Sequence, residues 1–174
     1  EMTTSEPALA ERIFEEGKGK GVSVLDAPVS GGDLGARNGS LAIMIGGEED
    51  AFEAVLPILR AMGENISLFG PAGSGQRVKM SNQILIATTM IGTVESLLYA
   101  RRAGLDADAV IDLIGSGAAG CWSINNLGPR IVQGDFDQMG MRINTPQNLV
   151  GQNHVPGSNG GRNEFSIDRA CDHC

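Results

Sequence analysis

An α/β sheet region followed by an all-α region is the fold class that the sequence predicts. Helix and strand patterns alternate up to Gly70, each element short and punctuated by Gly or Pro. From Gln76 to Ala103 a single helical pattern takes over, with Leu, Ile, Met, Val and Ala around most of its circumference. From about residue 138 onward neither period is sustained, and the chain turns rich in Asn, Gly, Gln and Pro.

Each element has its own local signal. SEPALAERIFEEG (5–17) predicts a helix with Ser5 as N-cap, Glu6 and Pro7 in the first turn and Gly17 at the end. VSVLDAP (22–28) predicts a short strand that Pro28 stops. SGGDLGARNGS (30–40) reads as a glycine-rich loop, and LAIMIGG (41–47) as a strand buried on both faces. EEDAFEAVLPILRAMG (48–63) predicts an amphipathic helix with an acidic start, closed by Gly63. ISLFG (66–70) reads as another strand. This order predicts the later half of an α/β sheet domain over residues 1–72. The long helix is apolar nearly all round, which predicts a central, buried one that Gly104 ends. DADAVIDLIGSG (106–117) predicts a helix capped by Asp106. CWSINNLGPRIVQG (121–134) predicts another, interrupted at Gly128-Pro129. Residues 73–137 thus form a partial helical domain, and 138–174 an irregular tail.

Composition narrows the partners. The 174 residues are 41% hydrophobic and 20% charged, ordinary for a globular protein, and the formal net charge is -8. Nucleic acid is not an expected partner, because neutralising phosphates needs clustered Lys and Arg. A small anionic substrate is compatible, since it answers to a few local donors. Cys121, Cys171 and Cys174 are an odd number with two at the extreme end, which predicts a reducing, cytoplasmic setting rather than a disulfide framework. No run reads as apolar enough to span a bilayer without interruption, because ILIATTMIGTVESLLYA carries Glu95 and several hydroxyls. No membrane partner is expected.

Three stretches could carry chemistry. GPAGSGQRVKMSNQ (70–83) opens like a phosphate-binding loop, but Gln76 and Arg77 stand where Lys-Ser or Lys-Thr is required. It reads better as a turn and domain junction. Behind it Lys79, Asn82 and Gln83 lie at i, i+3 and i+4, so they share one helix face. A partly desolvated ammonium there would have a lowered pKa, useful for proton transfer; a solvated first turn is the plainer reading of the pattern. In the loop after Pro28, Ser30, Gly31 and Gly32 could form a concave nest for a carboxylate, or simply join two strands. The terminal CDHC offers two thiols and His173 where a structural zinc needs four ligands, so no metal is expected. Trp122, the only tryptophan, reads as a core residue.

Taken together, TTSEP, DAPVSGGDLGARNGSLAIMIGG, GPAGSGQRVKMSNQ and SGAAGCWSINNLGPRIVQGDF resemble the β-hydroxyacid dehydrogenases over residues 2–137. That family includes 3-hydroxyisobutyrate dehydrogenase and 2-hydroxy-3-oxopropionate (tartronate semialdehyde) reductase, and is related to 6-phosphogluconate dehydrogenase. The resemblance implies the later half of a Rossmann-type dinucleotide-binding domain, joined by the long helix to a truncated helical domain. It implies an NAD- or NADP-dependent oxidoreductase acting on a small carboxylate-bearing 3-hydroxy acid or its semialdehyde, with a slight lean toward the tartronate semialdehyde enzyme. By resemblance Lys79 is the catalytic acid and base. Ser30, Gly31 and Gly32 hold the substrate carboxylate, Asn82 and Gln83 orient the substrate, Thr4 lies against the cofactor, and Trp122 lines the pocket. In the family the Gly-x-Gly-x-x-Gly fingerprint that seats the pyrophosphate would lie upstream of residue 1, and the family's downstream Lys-Asp motif does not follow Gly134-Asp135-Phe136 here. The expectation is therefore a fragment that lacks most of its cofactor site and is inactive alone, from a protein that is a homo-oligomer when complete. The competing expectation is a non-catalytic module that retains only self-association through its helical domain.

Overall fold

The computed structural model describes residues 1–135. The elements run α1 (Pro7–Lys18), β1 (Val29–Ser30), α2 (Gly32–Asn38), β2 (Leu41–Ile45), α3 (Glu49–Leu59), β3 (Gly63–Leu68), α4 (Ser74–Arg102), α5 (Ala107–Gly115), a π-helical turn (Ser123–Leu127) and α6 (Gly128–Gln133). Packing divides the chain into a compact unit of Glu1–Ser96 and a second one beginning at Leu97. This is an α/β domain followed by a long helix, as the alternation of patterns predicts. The expected irregular tail lies outside the described residues.

The first unit is built on a three-stranded sheet in the order β1-β2-β3. β2 is its centre, antiparallel to β1 and parallel to β3. Parallel pairing needs a crossover, and α3 supplies it. Ile43 and Ile45 are essentially inaccessible, and Ala27, Leu41 and Leu59 complete the buried cluster. Phe52, Val55, Met62 and Ile66 pack around it half-buried. An apolar strand with few exposed positions is what a central strand requires.

Several boundaries differ from the sequence reading. Residues 22–28 are not a strand: only Asp26 bridges to Gly46, and β1 is the following pair, Val29–Ser30. The β-branched residues favour extended backbone, but Ala27 N–H is bonded to Glu1 C=O and no continuous ladder forms there. Gly63 does not close α3. It opens β3, where a Cβ would collide with the Leu41 carbonyl, so glycine is needed for close strand approach. The 30–40 loop contains α2, which Gly39 ends with a positive φ of 66°. At α1, Glu6 rather than Ser5 occupies the N-cap position, with Pro7 leading the helix as expected.

The largest correction concerns α4. Its predicted span is close to the observed one, but it is not a buried central helix. Ile84, Leu85, Ile91 and Tyr99 are 63%, 64%, 65% and 73% exposed. Nor do Glu95 and the hydroxyls interrupt it: by length and composition alone α4 is apolar enough to cross a bilayer, a test that core helices of soluble proteins also pass. Thr88, Thr89 and Thr93 turn their hydroxyls onto the carbonyls of Ile84, Leu85 and Thr89, so these polar groups are satisfied within the helix.

The second unit is helical. Asp106 caps α5, accepting from the N–H groups of Asp108 and Ala109. Gly104 ends α4 with φ 71°. The π-helical turn ends at Leu127 and passes directly into α6, which Gly128 and Pro129 open, so the foreseen interruption is this change of helix type. Ile111, Ile124, Leu127 and Ile131 are buried.

Candidate active site

Lys79 lies in the second turn of α4, and its side chain is half-buried. Its Nζ donates to the carbonyl of Val29 at 2.8 Å. That bond places the ammonium beside β1, immediately before Ser30, Gly31 and Gly32. Burial pushes the Lys79 pKa below the ordinary lysine value, because desolvation disfavours the charged form. The solvated first turn considered from the pattern is therefore not what forms.

The loop after β1 has the backbone shape that glycine permits. Gly31 has φ 131° and Gly32 φ 62°. At Gly31 a Cβ would also approach Leu41 Cδ2 at 3.2 Å, whereas at Gly32 it would meet nothing within 4 Å. Gly31 and Gly32 are exposed and Ser30 is half-buried. So the loop offers open backbone next to the lysine.

Asn82 and Gln83 follow Lys79 on α4, both partly buried. Asn82 Oδ1 is buried and, among the described residues, has no hydrogen-bond partner. A buried amide oxygen left unpaired costs about 1–3 kcal/mol, so it is a natural acceptor for an incoming donor. Trp122 belongs to the second unit and is 59% exposed, not a core residue. Thr4 is half-buried in the segment that precedes α1.

Two residues that sequence reasoning passed over hold this arrangement together. Asp26 is buried, and its carboxylate accepts from Gly73 N–H at 2.7 Å and Gln76 N–H at 2.9 Å. It anchors the start of α4, where a negative charge also suits the helix dipole. Gly46 and Gly75 make room for it: a Cβ on Gly46 would lie 2.5 Å from Asp26 Oδ1, and one on Gly75 2.9 Å from Oδ2. An aspartate at the end of an extended run, facing a Gly-rich turn, was the available signal. Gln76 bonds to the backbone of residues 3 and 5. Its signal was a lone amide opening an apolar helix. Among the described residues no group of three or more His, Cys, Asp and Glu could hold a metal.

Comparison with known proteins gives the same framework. The NAD binding domain of 6-phosphogluconate dehydrogenase matches residues 1–70, and the NAD-binding domain of NADP-dependent 3-hydroxyisobutyrate dehydrogenase matches 73–145. An uncharacterized oxidoreductase of Bacillus subtilis, YkwC, is 58% identical over 137 residues, 79% of this chain and 48% of its own length. A probable 3-hydroxyisobutyrate dehydrogenase-like protein of Arabidopsis thaliana is 49% identical over 79% of this chain and 41% of its own. The 2-hydroxy-3-oxopropionate reductase of Escherichia coli is 38% identical over 79% and 47%. Among solved structures, 3-hydroxyisobutyrate dehydrogenase from Salmonella typhimurium superposes with a TM-score of 0.73 at 31% identity, covering 78% of this chain and 48% of that one. The two domain types, in this order, define a nicotinamide-nucleotide oxidoreductase framework. The chain belongs to the β-hydroxyacid dehydrogenase family, and it spans about half the length of these relatives.

Proposed function

We propose that the complete protein transfers a hydride between NAD or NADP and a small 3-hydroxy acid or its semialdehyde, with Lys79 as the proton-transfer group. The observation that carries this reading is the half-buried Lys79 Nζ, held on the Val29 carbonyl beside Ser30-Gly31-Gly32 with its pKa lowered by burial. In the reducing direction the ammonium gives its proton to the substrate carbonyl oxygen. In the oxidising direction the neutral amine takes the hydroxyl proton. A pKa lowered by burial makes the ammonium a readier proton donor and the neutral amine easier to reach than for a solvated lysine.

The other residues bind and orient. Ser30 and the open backbone of Gly31 and Gly32 receive the substrate carboxylate. Asn82 Oδ1, the buried acceptor without a partner among the described residues, takes the substrate hydroxyl as donor. Gln83 assists from the next position. The residues present fit only part of a dinucleotide site: Thr4 sits in a backbone segment tied to α4 one turn before Lys79. The nucleotide, when bound, supplies or accepts the hydride. The exposed apolar side chains of α4 support a homo-oligomer for the complete protein.

The names of the relatives divide among 3-hydroxyisobutyrate, tartronate semialdehyde and L-serine chemistry, and all three substrates carry a carboxylate and an oxygen on the third carbon. We assign the class rather than the compound. Turnover assays of the complete protein with 3-hydroxyisobutyrate, glycerate and tartronate semialdehyde, each with NAD(H) and NADP(H), test it. At least one pair should turn over. No turnover with any pair would sink the proposal.

A further inference from the structure

Gln76 is fully buried, yet the proton-transfer reading gives it no task. A buried side-chain amide costs stability unless both its ends are bonded. Here both are. Nε2 donates to the carbonyl of Thr3 at 2.8 Å, and Oε1 accepts from the N–H of Ser5 at 3.0 Å. This is how a neighbouring strand would pair with that segment, gripping the backbone on either side of Thr4. The backbone N–H of Gln76 is in turn held by Asp26. Lys79 lies three residues further along α4, on the same face.

We propose that Gln76 is a positioning residue that fixes the backbone around Thr4 relative to Lys79. Its catalytic consequence rests on the proposed function; its structural part does not. The side chain must carry a donor and an acceptor in one plane, at this reach. Glutamate lacks the donor, asparagine is one methylene short, and methionine has the volume but neither group. Asp26 sets where α4 starts, and Gln76 transmits that position to the segment at residues 3–5. The arrangement needs no contact between Gln76 and substrate or cofactor.

The test uses Gln76→Met and Gln76→Glu in the full-length protein, with two readouts. One is amide hydrogen exchange at Ser5, Gly73 and Gln76. The other is nicotinamide-nucleotide affinity by fluorescence titration, with KM and kcat beside it. In Gln76→Met, Ser5 exchange should accelerate by about tenfold or more, the size of a lost hydrogen bond, while Gly73 and Gln76 stay protected by Asp26. Nucleotide affinity should weaken by about tenfold, with the KM for the hydroxy acid nearly unchanged. Gln76→Glu keeps the volume and the Ser5 acceptor but turns a carboxylate oxygen onto the Thr3 carbonyl in a fully buried site. Ser5 should then stay better protected than in the methionine variant while nucleotide affinity falls at least as far, and that affinity loss is the readout if the methionine variant does not fold. Unchanged Ser5 exchange overturns the inference. So does faster exchange with nucleotide affinity and kcat unchanged, because Gln76 would then be structural only. If the unaltered protein binds neither nucleotide, the proposed function fails; Ser5 exchange alone then decides the inference.

Discussion

Strand β2 reads LAIMI, and the middle of helix α4 reads ILIATTMI. The two runs are similarly apolar, but their surroundings differ. Ile43 and Ile45 are 1% and 0% exposed, whereas Ile84, Leu85 and Ile91 are all more than half exposed. The strand finds β1 on one edge, β3 on the other and α3 beside it, all from nearby sequence. The first turns of the helix are bonded at Asp26, by Gln76 and by Lys79, but the apolar residues that follow them stay open. An apolar pattern states that a surface wants a partner. It does not state whether the partner lies close by in the same chain.

Paired truncations in the strand and the helix should separate the two environments. Ile45→Ala should cost about 2–5 kcal/mol, the usual loss for a large-to-small change in a packed core. Leu85→Ala should change stability by no more than about 0.5 kcal/mol in dilute solution of this chain. Denaturant unfolding of both variants checks this. A Leu85→Ala cost as large as that of Ile45→Ala, and growing with protein concentration, would show that α4 is covered by another copy. A smaller effect is expected where strand and helix meet. A Cβ on Gly75 would strike the Met44 carbonyl and crowd Asp26. Gly75→Ala should therefore destabilise by about 1–3 kcal/mol, as overpacking does, and a neutral result would contradict the close approach of α4 to β2.

The smallest effect is one of pH. Lys79 has its folded pKa lowered by burial, so its ammonium opposes folding below that pKa. As pH rises from the folded value toward the ordinary lysine value, the unfolded chain binds more protons and the penalty is relieved. Lys79→Met should therefore gain thermal stability relative to the unaltered protein near pH 7, and the gain should shrink toward pH 10. A gain that grows with pH would reverse the sign and refute the desolvation. Melting temperatures measured in parallel across this range decide it.

How much of this was legible beforehand follows the same contrast. Local signals were sufficient where one residue does the work: Asp106 at the α5 cap, Gly104 at the end of α4, Pro7 at the start of α1. They failed where a distant backbone decides. Gly63 looked like a helix end because nothing in its neighbours announces the Leu41 carbonyl. Residues 22–28 looked like a strand because β-branched side chains favour extended backbone, but a strand also needs a continuous partner. At the candidate site, Lys79, Asn82 and Gln83 stood out by spacing, and Ser30-Gly31-Gly32 by composition. Their juxtaposition came only from the Lys79–Val29 bond. Asp26 and Gln76 act through bonds spanning about fifty and seventy residues of sequence, which no window reveals.

In the proposed reaction Lys79 moves the proton. That role is tested most directly by measuring kcat and nucleotide affinity of Lys79→Ala in the complete protein, using whichever substrate pair turns over. If Lys79 carries the proton, kcat falls by about 10²–10⁴-fold, the usual contribution of a positioned acid or base, with nucleotide affinity unchanged. A kcat within about twofold of the unaltered protein would contradict it.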